Sequence, residues 1–299
     1  MSRSSAVLVG VWLAAVAAWP AAAVPPSGPV RAALDAELQA AGAAAQAAQT
    51  TGPADIAMAD QAVLHLPRGY LWVPQPQAGR LMRAMGHAAG TRLLGLVFPQ
   101  HEEHNWLVVA EFEPSGHVQD GDARDWKPDQ LHRRLQERSV AANADRKARG
   151  VPELELGPWV QPPVYAPTTH RLVWSLQTRE KGAAADAVQN IHYHAYAFGR
   201  EAYVSLKLLT GLKHIERDRP HVATLLAALE FREGSRYGDF DAETDRVADH
   251  GLAALVLGTA AERPGLFALV AAFVARFAEV LLVAAAAGAA LIVMRLRRR

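Results

Sequence analysis

Along the middle of the chain, apolar and polar residues alternate with the period of strands more often than with that of helices. Residues 106–113 show it most plainly. Leu107, Val109, Glu111 and Glu113 fall on one side and Trp106, Val108, Ala110 and Phe112 on the other, a period of two that predicts a half-buried strand. The continuous apolar run over 93–98 precedes it across a polar turn, and the two read as an antiparallel hairpin. Residues 62–66, ended by Pro67, and 70–73, beyond the turn at Arg68-Gly69, predict two short strands. Residues 170–178, 189–198 and 202–209 predict three longer ones, the last two joined through Gly199-Arg200-Glu201 as a tight hairpin. Helical spacing is confined to a few stretches. Residues 74–85 place Leu81, Met82 and Met85 on one side and stop at Gly86; a charged helix opens at Pro128 with Asp125 just before it, carries Leu131 and Leu135, and stops at Gly150 and Pro152; residues 221–229 form a third, with Gly238 closing the domain. This order predicts an α+β fold, an antiparallel sheet with helices packed on it.

The ends of the chain lack this alternation. Arg3 leads into an apolar run from Ala6 to Trp19, followed by Pro20 and Ala21-Ala22-Ala23. That is the charged start, apolar middle and small-residue cleavage site (Ala21, Ala23) of a signal peptide over 1–23. Residues 24–60 are rich in Ala and Pro and predict a linker with a short exposed helix around Leu34 and Leu38, then a loop at Thr50-Thr51-Gly52-Pro53. The packed, exported domain is expected over 61–240. Residues 265–294 are apolar apart from Arg276 and Glu279. Within them 277–294, carrying Phe277, Leu281, Leu282, Leu291 and Met294, would form about 27 Å of helix, close to the ~30 Å of a bilayer core. Such a segment has no polar face to offer water, and Arg276 and Glu279, three apart, can pair on one face. The tail 295–299 carries Arg295, Arg297, Arg298 and Arg299, which fix that end in the cytoplasm. Residues 241–264 predict a juxtamembrane helix, since 251–261 is apolar but too short to span and Pro264 ends it. It lies at the interface, with a hairpin dipping into the bilayer as the alternative. The layout predicted is a single-pass protein of a bacterial inner membrane, its bulk periplasmic and its C-terminus cytoplasmic, with the lipid bilayer as a partner.

Composition narrows the chemistry. The 299 residues include no Cys, which excludes a disulfide framework, a thiolate metal site, a Cys nucleophile and an acylated lipobox. The net charge of +1 conceals a split: residues 24–250 hold all but seven of 31 basic groups and all but two of 30 acidic ones. The middle is therefore mildly acidic and the tail basic, which argues against nucleic acid as a partner.

Candidate sites are few. Asp120-Gly121-Asp122-Ala123-Arg124-Asp125 resembles a calcium loop, but the sixth and twelfth positions are Asp125 and Leu131 where Gly and Glu are required. An acidic turn capping the Pro128 helix is the plainer reading. His192 and His194, two apart on a strand, share a face with Asn190 and Tyr196. They are the candidate metal ligands, but they lack an identifiable third partner, so half-exposed sheet histidines are the simpler reading. His101 and His104 flank Glu102-Glu103 in a turn and miss the helical zinc signature. Ser175 and Ser205 sit in strands without a nucleophile elbow, and no phosphate loop is present. Trp72, Trp106, Trp126, Trp159 and Trp174 read as packing residues, with Trp126 and Trp159, beside turns and prolines, the two most apt to be exposed. No catalytic residue and no cofactor is assigned.

Several phrases in fixed order carry a resemblance. They are Leu94-Gly95-Leu96-Val97-Phe98-Pro99, Gly116-His117-Val118-Gln119-Asp120, Gly157-Pro158-Trp159-Val160, the stretch 169–176 and the stretch 237–245, which runs into Gly251-Leu252-Ala253-Ala254-Leu255. Together they resemble a bacterial family of membrane-anchored proteins known as domain of unknown function 2167, over roughly residues 60–294. The resemblance implies the same anchored layout and no catalytic residues. Where relatives often have Tyr or Lys beside the Asp-rich turn, this chain has His117 and Gln119. The element order is also similar to photosystem-P-like and Mog-type sandwiches, a likeness of fold that implies no activity. Two functions stay open: a non-enzymatic envelope protein whose exported module binds or scaffolds an envelope partner, and a membrane-tethered hydrolase or metal-dependent enzyme acting on an envelope substrate.

Overall fold

The computed structural model of the protein describes residues 29–87, 89–100, 106–148, 153–183 and 190–258. Helix α1 (Pro29–Ala48) leads through β1 (Thr50–Thr51), β2 (Ala54–Met58), β3 (Ala62–Leu66) and β4 (Tyr70–Pro74) to helix α2 (Gln77–Ala84). The hairpin β5 (Leu93–Pro99) and β6 (Leu107–Glu113) follows, then helix α3 (Pro128–Ala148). Four long strands come next: β7 (Leu154–Ala166), β8 (Arg171–Glu180), β9 (Asn190–Phe198) and β10 (Tyr203–Gly211). Helix α4 (Ile215–Ala227), β11 (Leu229–Phe231) and helix α5 (Leu252–Leu257) complete the order.

Eight strands form one antiparallel sheet in the order β1-β4-β5-β6-β10-β9-β8-β7, and β11-β3-β2 form a second, smaller one. This is an α+β fold, as the alternation predicts. Strand alternation sorts the core into layers. Val108, Ala110, Ile191, Tyr193, Ala195, Val204, Leu206 and Leu208 turn toward the small sheet and α4. Leu107, Val109, Leu96 and Phe98 turn the other way, against α1 and α2. Farther along that second face, Leu172, Tyr196, Phe198 and Tyr203 meet α3 and α5. The central strands are thus covered on both faces. Strand β6, read as half-buried, is instead buried on both sides from Leu107 to Ala110, because those four residues are all apolar. Asp218, fully buried, pins α4 to β10 by accepting from Thr210 Oγ1 at 2.6 Å and Arg217 Nε at 2.6 Å.

Four local readings give way to tertiary structure. The alanine-rich stretch after Pro29 is a 20-residue helix whose Ala41 and Ala45 are fully buried, and 50–58 supplies two strands where a loop is expected; small side chains let α1 lie close on the sheet. Strand β7 is absent from the sequence reading because Pro158, Pro162 and Pro163 break the pattern. It pairs on one side only, with β8, through three register shifts, and a proline's missing N–H costs nothing on an open edge. Helix α4 starts at Ile215, six residues before His221, and accommodates Pro220, while Leu229-Glu230-Phe231 is strand β11 pairing with β3. Finally, packing continues past Gly238. In the segment expected to be an interfacial helix, Leu252, Leu255 and Val256 are buried in the domain. Among the described residues no helix is long and apolar enough to cross a membrane, which says nothing about a β-barrel. The signal peptide, the apolar stretch 265–294 and the arginine tail all lie outside the described residues.

Candidate functional site

Gly116, just beyond β6, sits at φ +87°, a conformation that L side chains rarely adopt, and an added Cβ would lie 2.7 Å from the Arg246 carbonyl oxygen. That close approach lets residues 246–248 run beside His117. The His117 N–H donates to Arg246 O at 2.7 Å, and the Ala248 N–H donates to His117 O at 2.9 Å. The tip of the β9–β10 hairpin holds the same segment from the other side. Arg200 donates to both carboxylate oxygens of Asp245, from Nε at 2.6 Å and Nη2 at 2.8 Å, and Glu201 accepts from the Arg246 N–H at 2.9 Å. Such bidentate pairs fix orientation as well as position. The arginine and the Asp241 N–H together hold the Asp245 carboxyl well below its usual range.

Folding 237–250 back in this way stacks four rings. Phe240 lies 3.9 Å from His117, His117 4.3 Å from Tyr237, and Tyr237 4.0 Å from His170. His170 holds φ +50° at the β7–β8 turn, which aims its ring into the stack. Tyr165 closes the row: its hydroxyl is 2.8 Å from Asp120 Oδ2 and 3.1 Å from His170 Nδ1. The phenol has one proton and the carboxylate can only accept. Tyr165 therefore donates to Asp120, and His170 Nδ1–H donates to Tyr165. Burial depresses the His170 pKa against the opposing pull of Asp120. Burial, with the Asp120 charge behind it, pushes both phenols up, Tyr237 to about 12. The Tyr237 hydroxyl donates to Val118 O at 2.8 Å.

These segments wall a cleft of about 670 Å³, lined by His117, Gln119, Asp120, Asp122, Tyr237, Phe240, Asp249 and His250 among others. His117 is 7% exposed, and its Nδ1 lies 2.9 Å from the Arg200 carbonyl oxygen. A carbonyl accepts only, so Nδ1 carries a proton and donates it to Arg200. The buried Nε2 of His250 has no hydrogen-bond partner among the described residues, and burial lowers the pKa of that ring. Asp122 accepts from the Leu252 and Ala253 N–H groups at 3.3 and 2.8 Å. It therefore caps α5, while the Asp125 side chain, next to the Pro128 helix, lies outside the described residues. The turn folds as a short 3-10 helix over Gly121–Asp125 whose C-terminal side leads away at Trp126.

The sequence-level candidates fall elsewhere. His192 and His194 do share one face of β9, with ring centroids 6.4 Å apart, and both are half-buried there. His194 stacks on Trp174 at 4.0 Å. Burial, then the Lys207 charge, pushes His192 down to about 4 and His194 well below its ordinary value. Among the described residues, no group of three or more His, Asp or Glu side chains is placed to hold a metal ion. Ser175 and Ser205 are buried in the sheet, Ser175 Oγ donating to His192 O at 3.0 Å. Trp126 and Trp159 are half-buried against the third core layer. His101 and His104 lie outside the described residues. Tyr165, Tyr237, Phe240 and His250 escape the sequence reading as site residues. The available signal was the set of recurring phrases, since 116–120, 169–176 and 237–245 all contribute to the ring stack and its surroundings.

No curated protein matches the chain. Among solved structures it is similar to the solution structure of cyanobacterial PsbP (CyanoP) from Synechocystis sp. PCC 6803, at 9% identity, over 62% of this chain and 91% of that one, with a TM-score of 0.34. The family model described as Protein of unknown function (DUF2167) matches residues 50–286, and the chain belongs to that family.

Proposed function

We propose that this chain is a single-pass bacterial envelope protein whose exported α+β domain serves as a binding module, with the cleft beside His117 as its binding site. One observation carries the reading. The cleft's polar groups are committed to holding one another: Asp120 by Tyr165, Asp122 by α5, Tyr237 by Val118 and His117 by Arg200. What remains for a ligand is Gln119, Asp249 and His250, which offer both donors and acceptors, with no Ser, Thr, Cys or Lys on the lining. A concave site with a few convergent polar groups suits binding, while acyl transfer or hydrolysis would need a nucleophile within reach of a base. The apolar stretch 265–294 and the arginines that follow it support an anchored layout.

The test is site-specific photo-crosslinking in intact cells. A photoreactive residue replacing Gln119, exposed on the cleft rim, is expected to yield an adduct of discrete mass, while one replacing Val140, 72% exposed on α3, yields none. Equal labelling at both positions, or none at Gln119, overturns the reading. Topology is tested separately: a reporter joined after Arg299 is expected to be active only in the cytoplasm, and periplasmic activity would sink the single-pass layout.

A further inference from the structure

Resting on the anchored layout proposed above, we propose that the start of α3 lies on the bilayer beside the anchor, its exposed basic side chains engaging anionic lipid headgroups. The place where the described chain ends sets the geometry. Helix α5 finishes at Leu257, with Gly258 as its cap, and the apolar stretch opens at residue 265. Fully extended, the chain between those two points spans at most about 24 Å. Leu252, Leu255 and Val256 of α5 pack in one cluster with Ala123 and Trp126 of the turn before α3 and with Leu131 and Leu135 of α3 itself. The chain therefore leaves the domain on the α3 side of the large sheet. The small sheet covers the opposite face, farther off by about 10 Å for each packed layer. A tether this short holds the α3 side toward the bilayer.

Proximity alone would not make a contact, since an anionic surface repels a domain of net negative charge. The start of α3 departs from the rest of the domain in this respect. Arg124, Lys127, Arg133 and Arg134 are all exposed, and none of the four side chains is bonded or ion-paired to a described residue. Many cations elsewhere are answered within the fold: Arg80 by Glu37, Arg179 by Glu155, Lys181 by Glu153 and Arg200 by Asp245. Residues 124–138 carry five basic side chains against the three acids Asp125, Asp129 and Glu137, inside a region that is acidic as a whole. A guanidinium fork matches the oxygens of a phosphate ester, and basic residues next to a membrane anchor are drawn to anionic headgroups. The tether keeps such headgroups permanently within reach of this face, which an acidic protein partner would have to find by diffusion.

The chain has no Cys, so single fluorescent reporters can be attached to the full-length protein through Gln130→Cys, exposed on α3, or Ala57→Cys, exposed on β2. Each is placed in nanodiscs of phosphatidylcholine, alone or mixed with phosphatidylglycerol, in which some headgroups carry a nitroxide quencher. The reporter at 130 is expected to be quenched in the phosphatidylglycerol discs, to brighten in phosphatidylcholine alone, and to brighten again in about 1 M salt, where screening acts within ~3 Å. The reporter at 57 stays bright throughout. Arg133→Gln and Arg134→Gln are each expected to lower the ratio of docked to undocked protein about fivefold, whereas Lys at both positions keeps the quenching. The inference is overturned if position 130 is quenched no more than position 57, if neutral discs quench it equally, or if both Gln variants leave it unchanged. Protein that enters the discs with position 130 bright sinks this surface alone, whereas protein that stays out of the discs sinks the anchored layout itself.

Discussion

His192 makes this domain sensitive to mild acid, and the size of the effect follows from its place on β9. The strand turns Ile191, Tyr193 and Ala195 toward the small sheet and His192 and His194 the other way. Lys207 on β10 stands opposite His194 in register, so both rings are packed beside a cation. In the unfolded chain an imidazole takes up its proton near pH 6.5, whereas burial, then Lys207 and His87, hold His192 unprotonated down to about 4. A depressed histidine pKa costs nothing above pH 6.5, where both states are neutral. Below it the unfolded state binds a proton that the folded state refuses, so stability falls with pH until about 4 and then levels off. At about 1.4 kcal/mol per pH unit, that window amounts to about 3 kcal/mol from His192 alone, a large part of a typical 5–15 kcal/mol total. His194 is shifted in the same direction. His65, raised chiefly by its hydrogen bond to Asp55, works oppositely: its contribution is present at low pH and is lost as pH rises through its folded value. The assay is urea unfolding followed by tryptophan fluorescence between about pH 7.5 and pH 4, on the wild type and His192→Gln. Contributions from other groups are common to both proteins and cancel in the difference. The variant, with no proton to refuse, is expected to gain about 3 kcal/mol on the wild type across that range. A gap between the two that stays constant with pH would refute the reasoning.

Three further predictions concern the cleft. Gly116→Ala forces a Cβ against the Arg246 carbonyl at a backbone angle hostile to it; a loss of about 2 kcal/mol is expected in urea unfolding, and an unchanged midpoint contradicts the close approach described. Asp122→Ala removes the cap of α5 and is expected to cost about 1 kcal/mol, with faster amide exchange at Leu255 and Val256; unaltered exchange there would show that the cap is dispensable. Asp245→Asn breaks the charged pair with Arg200, so exchange of the His117 and Ala248 amides, which tie the two segments together, is expected to accelerate relative to amides in β9 and β10. Equal protection in variant and wild type counts against the anchoring role.

What local pattern can express, it expressed. The strands near 62–66, 93–98, 106–113, 170–178 and 202–209 and the helix opening at Pro128 follow from side-chain alternation, from proline's fixed φ and missing N–H, and from glycine stops, all of which act within a few residues of chain. The same locality explains the failures. Whether β6 is covered on one face or both depends on α1, α2 and the small sheet, and whether three prolines are tolerated in β7 depends on its being the last strand. Alanines 41 and 45 are core residues because a sheet lies under them, which composition does not record.

The cleft is the sharpest case. Tyr165 lies 45 residues from Asp120 and the Tyr237 hydroxyl 119 residues from the Val118 carbonyl it bonds. No spacing rule spans such distances, because the path between the partners runs through several strands whose register must be set first. The chain on its own determined which segments would be strands and helices and which residue types would be scarce, from short-range sterics and solvation. Only the tertiary structure decided that His192 would lie near Lys207 while His117, Asp120 and Tyr237 came to share one opening, because proximity between distant residues is a property of packed sheets and not of sequence separation.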